Sequence, residues 1–334
     1  MIPINPLAMM LGSLFLLVSV LCLCGLLVLL VAFLLRRSRR FIAKRRWWFG
    51  LLAVFLAAGS LPTMQFIRWQ LDHWLERRAL SPRLETSQVL GDLTLPAGTR
   101  VWMERLEPMQ DLSGKPLAYG LQSVKRVEFD REPGLVLGMR VQSLDLDAGR
   151  GLAELKLLDA ARLQGWNCSP EAAVSFTYPF GAPFVLADWH LEACTLVPGS
   201  EVAGVAWPGQ VSVHAVERGR WLVEAGSTPA RFQGLEIRAV NLWLDGPQGD
   251  LQDWQGELAA ALEFGVMQYP AGTRVRQYQG NLLFSPIADV PAQDRRSGKP
   301  VEPDLSVAQD AAGEVLGIYP NKDVGVIDWF KLVP

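Results

Sequence analysis

The first long apolar stretch of the chain begins at Ala8, and residues 8–46 are AMMLGSLFLLVSVLCLCGLLVLLVAFLLRRSRRFIAKRR. Residues 8–35 contain no charged side chain and are rich in Leu and Val. At about 1.5 Å per residue, a helix of this length crosses a hydrocarbon core of about 30 Å. We therefore predict a transmembrane helix over residues 8–35. A cleaved signal peptide is disfavoured, because the apolar run is too long and the basic cluster follows it.

A second uncharged stretch, residues 47–67, predicts a second transmembrane helix, although Pro62 and Gln65 make it less apolar. Aromatic rings lie at both of its ends, as they do where helices cross the membrane–water interface. The predicted interface residues are Trp47, Trp48, Trp69 and Trp74. Beyond this stretch, residues 68–82 carry apolar side chains at helical spacing, which predicts a juxtamembrane amphipathic helix that ends near Pro82.

The connector between the two apolar stretches, residues 36–46, determines the predicted topology. Its basic residues are Arg36, Arg37, Arg39, Arg40, Lys44, Arg45 and Arg46. Such a cluster stays on the cytoplasmic side of a membrane. Two spans then place the short neutral tail, residues 1–7, and the whole of residues 68–334 on the opposite side. In a Gram-negative bacterium, this is a two-pass inner-membrane protein with both termini and its main domain in the periplasm.

Charge is distributed unevenly along the 334 residues, whose formal net charge is −2. Residues 1–67 contain no Asp or Glu, whereas residues 68–334 contain 34 acidic and 25 basic side chains, a net charge of about −9. A domain this acidic repels the phosphate backbone, which excludes nucleic acid as the expected partner. Half of the residues are hydrophobic, and this excludes a disordered chain.

Residues 83–334 alternate apolar and polar side chains over short runs separated by turn signals, the pattern of an antiparallel β-rich domain. Clear alternation covers Arg100–Leu106, Ser123–Phe129 and Leu235–Leu244. Helical periodicity is scarce here, and only Ala153–Leu163 and Leu251–Leu262 are predicted as short helices. The predicted fold class is membrane-anchored and mainly β: a two-helix transmembrane hairpin, then an extracytoplasmic domain that is sandwich-like or built of repeated β units.

Three short sequence matches indicate an internal duplication of the β domain. PAGTRV at residues 96–101 recurs at 270–275, SGKP at 113–116 recurs at 297–300, and VLG at 136–138 recurs at 315–317. The offsets of 174, 184 and 179 keep the matches in one order. The two modules would cover about residues 89–150 and 263–330. The alternative is that Pro-x-Gly-Thr is a common turn before a strand, with no duplication.

The four cysteines fall into two pairs. Cys22 and Cys24 lie within the first apolar stretch, where we expect them to pack as small apolar residues. Cys168 and Cys194 lie in the exported part, 26 residues apart. An oxidising compartment would allow these two to form a disulfide.

Few residues carry a catalytic or metal-binding pattern. On a strand, Asp188, His190 and Glu192 would share one face, and His190, Glu192 and His214 are weak candidates for a metal site. The simpler interpretation is the polar face of a half-buried strand. Residues 145–149 (DLDAG) resemble the start of a calcium loop but lack its later acidic ligands, so we predict a hairpin turn. We predict no catalytic residue, no cofactor and no bound metal.

Tryptophan is frequent in the β domain, and most of these rings are expected in its core, with a few on a binding surface. They are Trp102, Trp166, Trp189, Trp207, Trp221, Trp243, Trp254 and Trp329. An exposed indole beside carboxylates or amides could stack on a sugar ring or bind a protein. The sequence leaves open which tryptophans are exposed.

Three functional classes fit these features. The first is a non-enzymatic binding or assembly protein that contacts membrane lipid and an envelope protein partner, with an immunity protein against an antibacterial toxin as a special case. The second is an envelope sensor or regulator, disfavoured because only the basic connector faces the cytoplasm. The third and least favoured is an envelope enzyme acting on glycan or lipid. The sequence defines neither the ligand nor the oligomeric state.

The topology prediction can be tested with reporter fusions in a Gram-negative host. Alkaline phosphatase fused after Pro334 should be active, because it folds only outside the cytoplasm, and green fluorescent protein at the same position should be dark. Fusions after Lys44, in the basic connector, should give the opposite pair of signals. A fluorescent fusion at Pro334 with inactive phosphatase would reverse the topology.

Overall fold

The computed structural model describes residues 6–35, 45–217, 219–247, 249–286, 290–302 and 304–326. The chain divides into two compact units, Met1–Ser81 and Pro82–Pro334. In its described residues the first unit is two long helices, and the second is a β-rich domain. Both helices are long and apolar enough to span a membrane, and the domain after them is dominated by one large antiparallel sheet.

Helix α1 covers Pro6–Leu34 and helix α2 covers Arg46–Leu80. The predicted second span and the predicted amphipathic segment are parts of the single helix α2, which continues through Pro62. It ends at Leu80 because Pro82 disfavours helical backbone at the residue before it.

Small and hydroxyl side chains form the contact between α1 and α2. The Oγ atom of Ser19 accepts hydrogen bonds from the backbone N–H of Thr63 at 3.0 Å and from its hydroxyl at 2.7 Å. The ring of Pro62 disturbs the helical hydrogen bonding of this turn, and the Ser19 oxygen provides an acceptor for the N–H of the next residue, Thr63. One turn away, a Cβ atom on Gly59 would lie 2.6 Å from the sulfur of Cys22. Small residues of this kind let membrane helices approach closely.

The strands of the β domain are short. The first nine are β1 (Gln88–Leu90), β2 (Leu93–Leu95), β3 (Arg100–Met103), β4 (Val124–Glu128), β5 (Gly134–Val136), β6 (Met139–Asp147), β7 (Leu152–Leu157), β8 (Ala161–Leu163) and β9 (Trp166–Cys168). The next nine are β10 (Val174–Thr177), β11 (His190–Thr195), β12 (Glu201–Val202), β13 (Val205–Ala206), β14 (Val211–Glu217), β15 (Arg220–Ala225), β16 (Ala230–Phe232), β17 (Leu235–Asp245) and β18 (Leu251–Leu258). The last eight are β19 (Leu262–Phe264), β20 (Met267–Tyr269), β21 (Arg274–Tyr278), β22 (Asn281–Ser285), β23 (Ala292–Asp294), β24 (Pro300–Val301), β25 (Leu305–Gln309) and β26 (Val315–Pro320). Short 3-10 helices cover Gly120–Ser123, Leu186–Asp188 and Asn321–Val324.

Within the described ranges, eighteen strands form one large sheet, and most of it is a continuous antiparallel meander. The pairing order is β3–β4–β6–β7–β10–β11–β14–β15–β17–β18–β21–β22–β25–β26. The hairpin β1–β2 joins this meander through β5, which pairs with β6, and β16 pairs with β17. Sequential strands are therefore neighbours in space, as the run of short alternating segments predicts.

Both segments predicted as short helices are strands, so this part of the prediction is wrong. Ala153–Leu163 contributes to β7 and forms β8, and Leu251–Leu262 forms β18 and begins β19. In β7 every second side chain, from Ala153 to Leu157, is buried, and those between them are exposed. Ala, Glu and Leu are good helix formers, but burial of one face with period two decides the conformation here.

Short hairpins pack against the buried face of the large sheet and complete the core. They are β8–β9, β12–β13 and β19–β20, the last extended by β23 and β24. Trp166 of β9 lies 5.6 Å from Trp221 of β15, between ring centroids. Tyr269 of β20 stacks on Phe284 of β22 at 4.2 Å. All four rings are buried, so the core lies between the large sheet and these hairpins.

The PAGTRV segments occupy equivalent positions. Each follows a two-residue hairpin turn, in β1–β2 and β19–β20, whose first turn residue is a glycine with positive φ. The N–H of Gly98 donates to the carbonyl of Leu84 at 2.7 Å, and the N–H of Gly272 donates to that of Leu258 at 2.8 Å. The offset of 174 residues is therefore kept by the backbone hydrogen bonds as well as by the sequence.

The SGKP segments also form similar turns. Each ends in an antiparallel bridge between a Gln and the Pro of SGKP, Gln110 with Pro116 and Gln293 with Pro300. The N–H of Asp111 donates to the carbonyl of Lys115, and that of Asp294 donates to the carbonyl of Lys299, both at 2.9 Å. The VLG match is different, because the first VLG ends β5 and turns into β6, whereas the second lies within β26.

Cys168 and Cys194 form a disulfide with their Cα atoms 5.8 Å apart. Cys168 ends the short hairpin β8–β9 and Cys194 belongs to β11, so the bond joins the hairpin layer to the large sheet. Beside it, the N–H of Ser169 donates to the carbonyl of Thr195 at 2.7 Å. Both sulfur-bearing residues are buried, and a disulfide of this kind fits an oxidising compartment.

Replacing the bonded cysteines should lower the stability of the β domain. The double change Cys168→Ala and Cys194→Ala releases a loop of 26 residues, which should cost about 3 kcal/mol through the entropy of the unfolded chain. Guanidinium unfolding of the full chain in detergent, followed by tryptophan fluorescence, measures the loss. The matched control is Cys22→Ala with Cys24→Ala in α1, which should leave this transition unchanged. Equal transitions for the two double variants would show that the disulfide does not stabilise the domain.

Candidate functional site

A large open cleft lies at the end of the sheet where the meander begins. Its volume is about 1330 Å³. The floor is the outer face of β3, β4, β6 and β7, and two long loops together with the tip of β1–β2 border it. The two long loops connect β3 with β4 and β10 with β11, and they enclose this part of the outer face.

The floor is built by strand register. Trp102 of β3 pairs with Arg126 of β4, and Arg126 pairs with Asp145 of β6. Asp145 in turn pairs with Glu154 of β7, and Glu154 pairs with Ser175 of β10. Directly opposite residues of antiparallel strands share one face, so these side chains form a single row across the sheet. The row places an aromatic ring, a guanidinium and two carboxylates side by side.

One wall of the cleft is the loop between β10 and β11, residues 178–189. The N–H of Asp92, at the tip of β1–β2, donates to the carbonyl of Phe184 at 2.9 Å. The carboxylate of Asp92 accepts the N–H of Leu186 at 3.0 Å. The loop approaches so closely that a Cβ atom on Gly91 would lie 2.5 Å from the Phe184 carbonyl, so this turn requires glycine. These contacts fix the wall to the floor.

The opposite wall is the loop between β3 and β4, which is held by Ser123. Its hydroxyl donates to the carbonyls of Arg105 at 2.9 Å and Gly120 at 2.8 Å, and its oxygen accepts the N–H of Arg105 at 3.2 Å. Glu104 and Gln122 of this loop line the cleft. Both walls are therefore held by specific hydrogen bonds, which a preformed site requires.

Charge in the cleft is only partly compensated. Arg126 lies 2.8 Å from Glu128 and 3.7 Å from Asp145, and its guanidinium lies 5.5 Å from the centre of the Trp102 ring. Partial burial raises the pKa of the Asp145 carboxyl; Glu154 and Glu128 add to the increase, and Arg126 opposes it. Glu154 has no ion pair among the described residues. At the centre of the floor, the two carboxylates of Asp145 and Glu154 are therefore accompanied by one guanidinium, that of Arg126.

The carboxylate of Asp147, at the β6–β7 turn, differs from that of Asp145 because it is held by several hydrogen bonds. Asp147 accepts hydrogen bonds from the N–H groups of Gly149 and Arg150, and from Nε of Arg150 at 2.6 Å. The bond from the Arg150 side chain is the main reason that the pKa of Asp147 is lowered. The predicted hairpin turn is confirmed at these residues, and Asp147 acts as its cap.

Tyr178 directly follows β10 and borders the cleft, but by strand alternation its side chain lies on the inner face of the sheet with that of Phe176. It is 6% exposed, and its ring stacks on Trp189 at 5.8 Å. Its hydroxyl is buried and has no hydrogen-bond partner among the described residues. Burial, with a smaller contribution from Asp147, raises the pKa of Tyr178 to about 12, so the hydroxyl stays protonated at neutral pH. A hydroxyl left in this state costs stability unless something else pairs with it.

The weak metal candidates lie outside this cleft. His190 pairs with Thr177 at the start of β11, and Glu192 follows it at a bulge in the same strand. His214 pairs with Ala193, and its Nε2 atom lies 3.5 Å from the carboxylate of Glu224. In the described part of the chain, no group of three His, Cys, Asp or Glu side chains is arranged to hold a metal ion.

The residues predicted to set the topology and to mark the membrane interface belong to the helical unit. Arg36, Arg37, Arg39, Arg40 and Lys44 lie outside the described residues, whereas Arg45 and Arg46 lie at the start of α2. Trp47 and Trp48 in the first turn of α2 are 78% and 76% exposed, and Trp69 and Trp74 are more than half exposed. The four indoles are therefore available to contact lipid.

Most tryptophans of the β domain are buried in its core, as predicted from the sequence. Those buried in the core are Trp166, Trp189, Trp207, Trp221 and Trp254. Trp102 and Trp243 are half-buried, and Trp329 lies outside the described residues. Only Trp102 among them lines the cleft. It is the tryptophan of this domain that is placed to contact a ligand there.

Sequence reasoning missed most of the cleft. It treated Asp145 and Asp147 only as a turn, and it did not single out Arg126, Glu154 or Tyr178. The signal in the sequence was the period-two placement of charges in segments such as SLDLD and LAELK. Which charged strand faces which other one depends on strand pairing, which that pattern alone does not give.

Asp145 and Asp147 should make opposite contributions to the pH dependence of stability. The raised pKa of Asp145 means that its contribution to stability is complete below about pH 4 and is lost as pH rises through the folded pKa. Asp145→Asn should therefore gain stability relative to the unchanged protein between about pH 3.5 and pH 7. The pKa of Asp147 is lowered, so Asp147→Asn should lose relative stability over the same range. Guanidinium unfolding of the full chain at both pH values measures the differences, and trends of the same sign would contradict these assignments.

The arrangement is suited to holding a polar ligand. Aromatic surface and a carboxylate pair line an open space large enough for a peptide segment or a small molecule. The same carboxylate pair could also transfer a proton, because one of its members has a raised pKa. Comparison of this chain with known protein families, with curated proteins and with solved structures finds no match.

Proposed function

We propose that this chain is a membrane-anchored binding protein of the bacterial envelope whose β domain holds a protein partner in the cleft. In this proposal α1 and α2 span the inner membrane, the basic connector stays in the cytoplasm, and the β domain lies in the periplasm. Apolar length, the positive-inside rule and the disulfide support this placement.

The observation that carries the binding proposal is the cleft with its fixed walls. A well-formed concave pocket with a few convergent polar groups is the default place to expect a ligand. Its floor includes Trp102 and Arg126, and aromatic residues and arginine are enriched at protein–protein interfaces. An immunity protein against a toxin is a special case of this function. A sensor role has less support, because between the two helices only the short basic connector is predicted to face the cytoplasm.

An envelope enzyme is the second candidate, and the carboxylate pair favours it. Asp145 and Glu154 lie directly opposite each other, and partial burial raises the pKa of Asp145. Glycan-hydrolysing enzymes use a pair of carboxyl groups of which one has a raised pKa. In that case Glu154→Gln would abolish release of sugars from envelope glycan. The binding proposal instead expects no turnover from the unchanged protein.

We further propose that the β domain grew by repetition of one small unit. The unit is a short hairpin, a Pro-x-Gly turn and the following strand of the large sheet, β3 or β21. The equivalent hydrogen bonds of Gly98 and Gly272 support a repeat over residues 84–101 and 258–275. Repetition of this unit explains the layer of hairpins, and its meaning is structural and not catalytic.

Site-specific photocrosslinking in intact cells tests the binding proposal. Gln122 is exposed and lines the cleft, whereas Gln268 is equally exposed on β20, away from it. A benzophenone amino acid at position 122 should capture one partner in stoichiometric amount, and the same group at position 268 should capture little.

The crosslink should also depend on the cleft itself. Trp102→Ala removes the aromatic contact of the floor and should reduce capture from position 122, while the protein remains folded by circular dichroism. Capture from position 268 with none from position 122 would assign binding to another surface. Release of soluble sugars from purified envelope glycan would instead favour the enzyme.

A further inference from the structure

We propose that a second pocket, on the outer face of the large sheet, binds a carboxylate group between the guanidinium groups of Arg274 and Arg276. This arginine pocket has a volume of about 450 Å³ and is lined by β17, β18, β21 and β22, and by Gly325 and Val326 after the last 3-10 helix. Four strands, β10, β11, β14 and β15, separate it from the floor of the cleft. The inference therefore goes beyond the proposed function and does not depend on it.

Strand register places both arginines on the outer face. Arg274 and Arg276 are two residues apart on β21, and such residues share one face of a strand. Val275 between them is 1% exposed and belongs to the inner face. Arg276 pairs with Gln255 of β18, and Gln255 pairs with Asn241 of β17. Two amide side chains therefore share a row with the Arg276 guanidinium.

The lining of the arginine pocket is positive, although the domain as a whole is acidic. Its carboxylate is that of Glu257, which lies 3.7 Å from Arg238. Neither Arg274 nor Arg276 has an ion pair in the described part of the chain. Two arginines against one glutamate give the lining a net charge of +1, which suits a single carboxylate better than a doubly charged phosphate. A planar guanidinium can donate two parallel hydrogen bonds to such a group.

The Nε atom of Arg276 is an independent indication of a ligand. It is buried and has no hydrogen-bond partner among the described residues. Buried side-chain nitrogen atoms are normally paired, and an unpaired one costs stability. The guanidinium lies 5.9 Å from the centre of the Tyr278 ring, and Tyr278 packs against the buried Leu283 and Val324, so the charge is held in place. A carboxylate in the pocket would accept the hydrogen bond that the fold leaves unused.

A strained backbone conformation also borders the arginine pocket. Six non-glycine residues of the described chain have a positive φ angle, and five of them precede a glycine in a two-residue hairpin turn, which favours this conformation. The sixth is Ala239, with a φ of 49°, inside β17 at the bulge between Arg238 and Asn241. Bulges and strain of this kind occur preferentially beside functional sites, where they redirect side chains. The bulge here sets the position of Asn241 in the lining.

Binding measurements on the full chain in detergent test the proposal. The probes are acetylated pentaglutamate amide and acetylated pentaglutamine amide, which has the same shape without the charge. Pentaglutamate should bind with one-to-one stoichiometry by calorimetry, despite the acidic character of the domain, and pentaglutamine should not bind. Arg274→Gln and Arg276→Gln should each weaken binding about tenfold, because each removes a charged hydrogen-bond donor. Arg162→Gln, at an exposed position on β8, should change the affinity less than about twofold.

Thermal unfolding separates binding from folding. Arg274 is exposed, so Arg274→Gln should fold normally and remains informative if Arg276→Gln does not. Saturating pentaglutamate should raise the melting temperature of the unchanged protein, because a ligand that binds only the folded state stabilises it. The same concentration should raise the melting temperature of Arg274→Gln less. Equal increases in the two proteins would place the peptide at another site and contradict the proposal.

The outcomes also distinguish two sources of the carboxylate, a partner's acidic peptide and Asp328 of this chain, which lies outside the described residues. Pentaglutamate binding to the unchanged protein indicates an external peptide. Binding that requires Asp328→Asn indicates that the chain's own carboxylate competes for the pocket. Equal binding of pentaglutamine, no binding by either protein, or affinities unchanged in Arg274→Gln and Arg276→Gln overturns the carboxylate assignment. Crosslinking from position 122 reports on the cleft alone, so the proposed function and this inference can fail separately.

Discussion

Burial of one face of a single meandering sheet is the constraint on which this structure depends. Along each strand, successive side chains point to opposite faces of the sheet. Every second residue is therefore buried, and the residues between them face outward. In β6 and β7, Leu144 and Leu155 are fully buried, and their neighbours Asp145 and Glu154 lie on the outer face. The short hairpins cover the inner face, which leaves the outer face free to carry charge. The core and the acidic floor of the cleft are therefore two consequences of one alternation.

Loop length decides where on that outer face a cleft can exist. Most connections are tight, such as the two-residue turns at Leu137-Gly138 and Gln233-Gly234, and they add nothing above the sheet. The β3–β4 and β10–β11 connections are long, and both rise at the same end of the meander. Asp92 and Ser123 fix them by hydrogen bonds to loop backbone. Between these two loops, a flat polar face becomes a concave one.

Much of the fold could be predicted from local patterns, and the site could not. The uncharged stretches predicted both helices, and the alternation of apolar and polar side chains predicted β-structure across the second unit. The two segments mistaken for helices, in β7 and β18, contain good helix formers whose alternation is visible only once burial of Leu155 and Trp254 is known. The cleft depends on which strands pair, and the pairing of Asp145 with Glu154 is a long-range fact that composition does not encode. Even the internal matches misled in part, because similar tripeptides can form a turn at Gly138 and a strand interior at Gly317.

Most buried polar groups of the core are paired. The Tyr269 hydroxyl bonds to Gln309, whose amide donates in turn to the carbonyls of Phe264 and Gly313. Four buried side-chain polar atoms have no partner in the described residues, and two of them belong to the stacked pair Tyr178 and Trp189 on the inner face of the sheet. Natural sequences satisfy such groups where only stability is selected, and they depart from this rule at functional sites. On the outer face, the floor of the cleft shows a different departure, because partial burial raises the pKa of Asp145. A raised pKa costs stability at neutral pH, so this charge is one that the fold alone does not require.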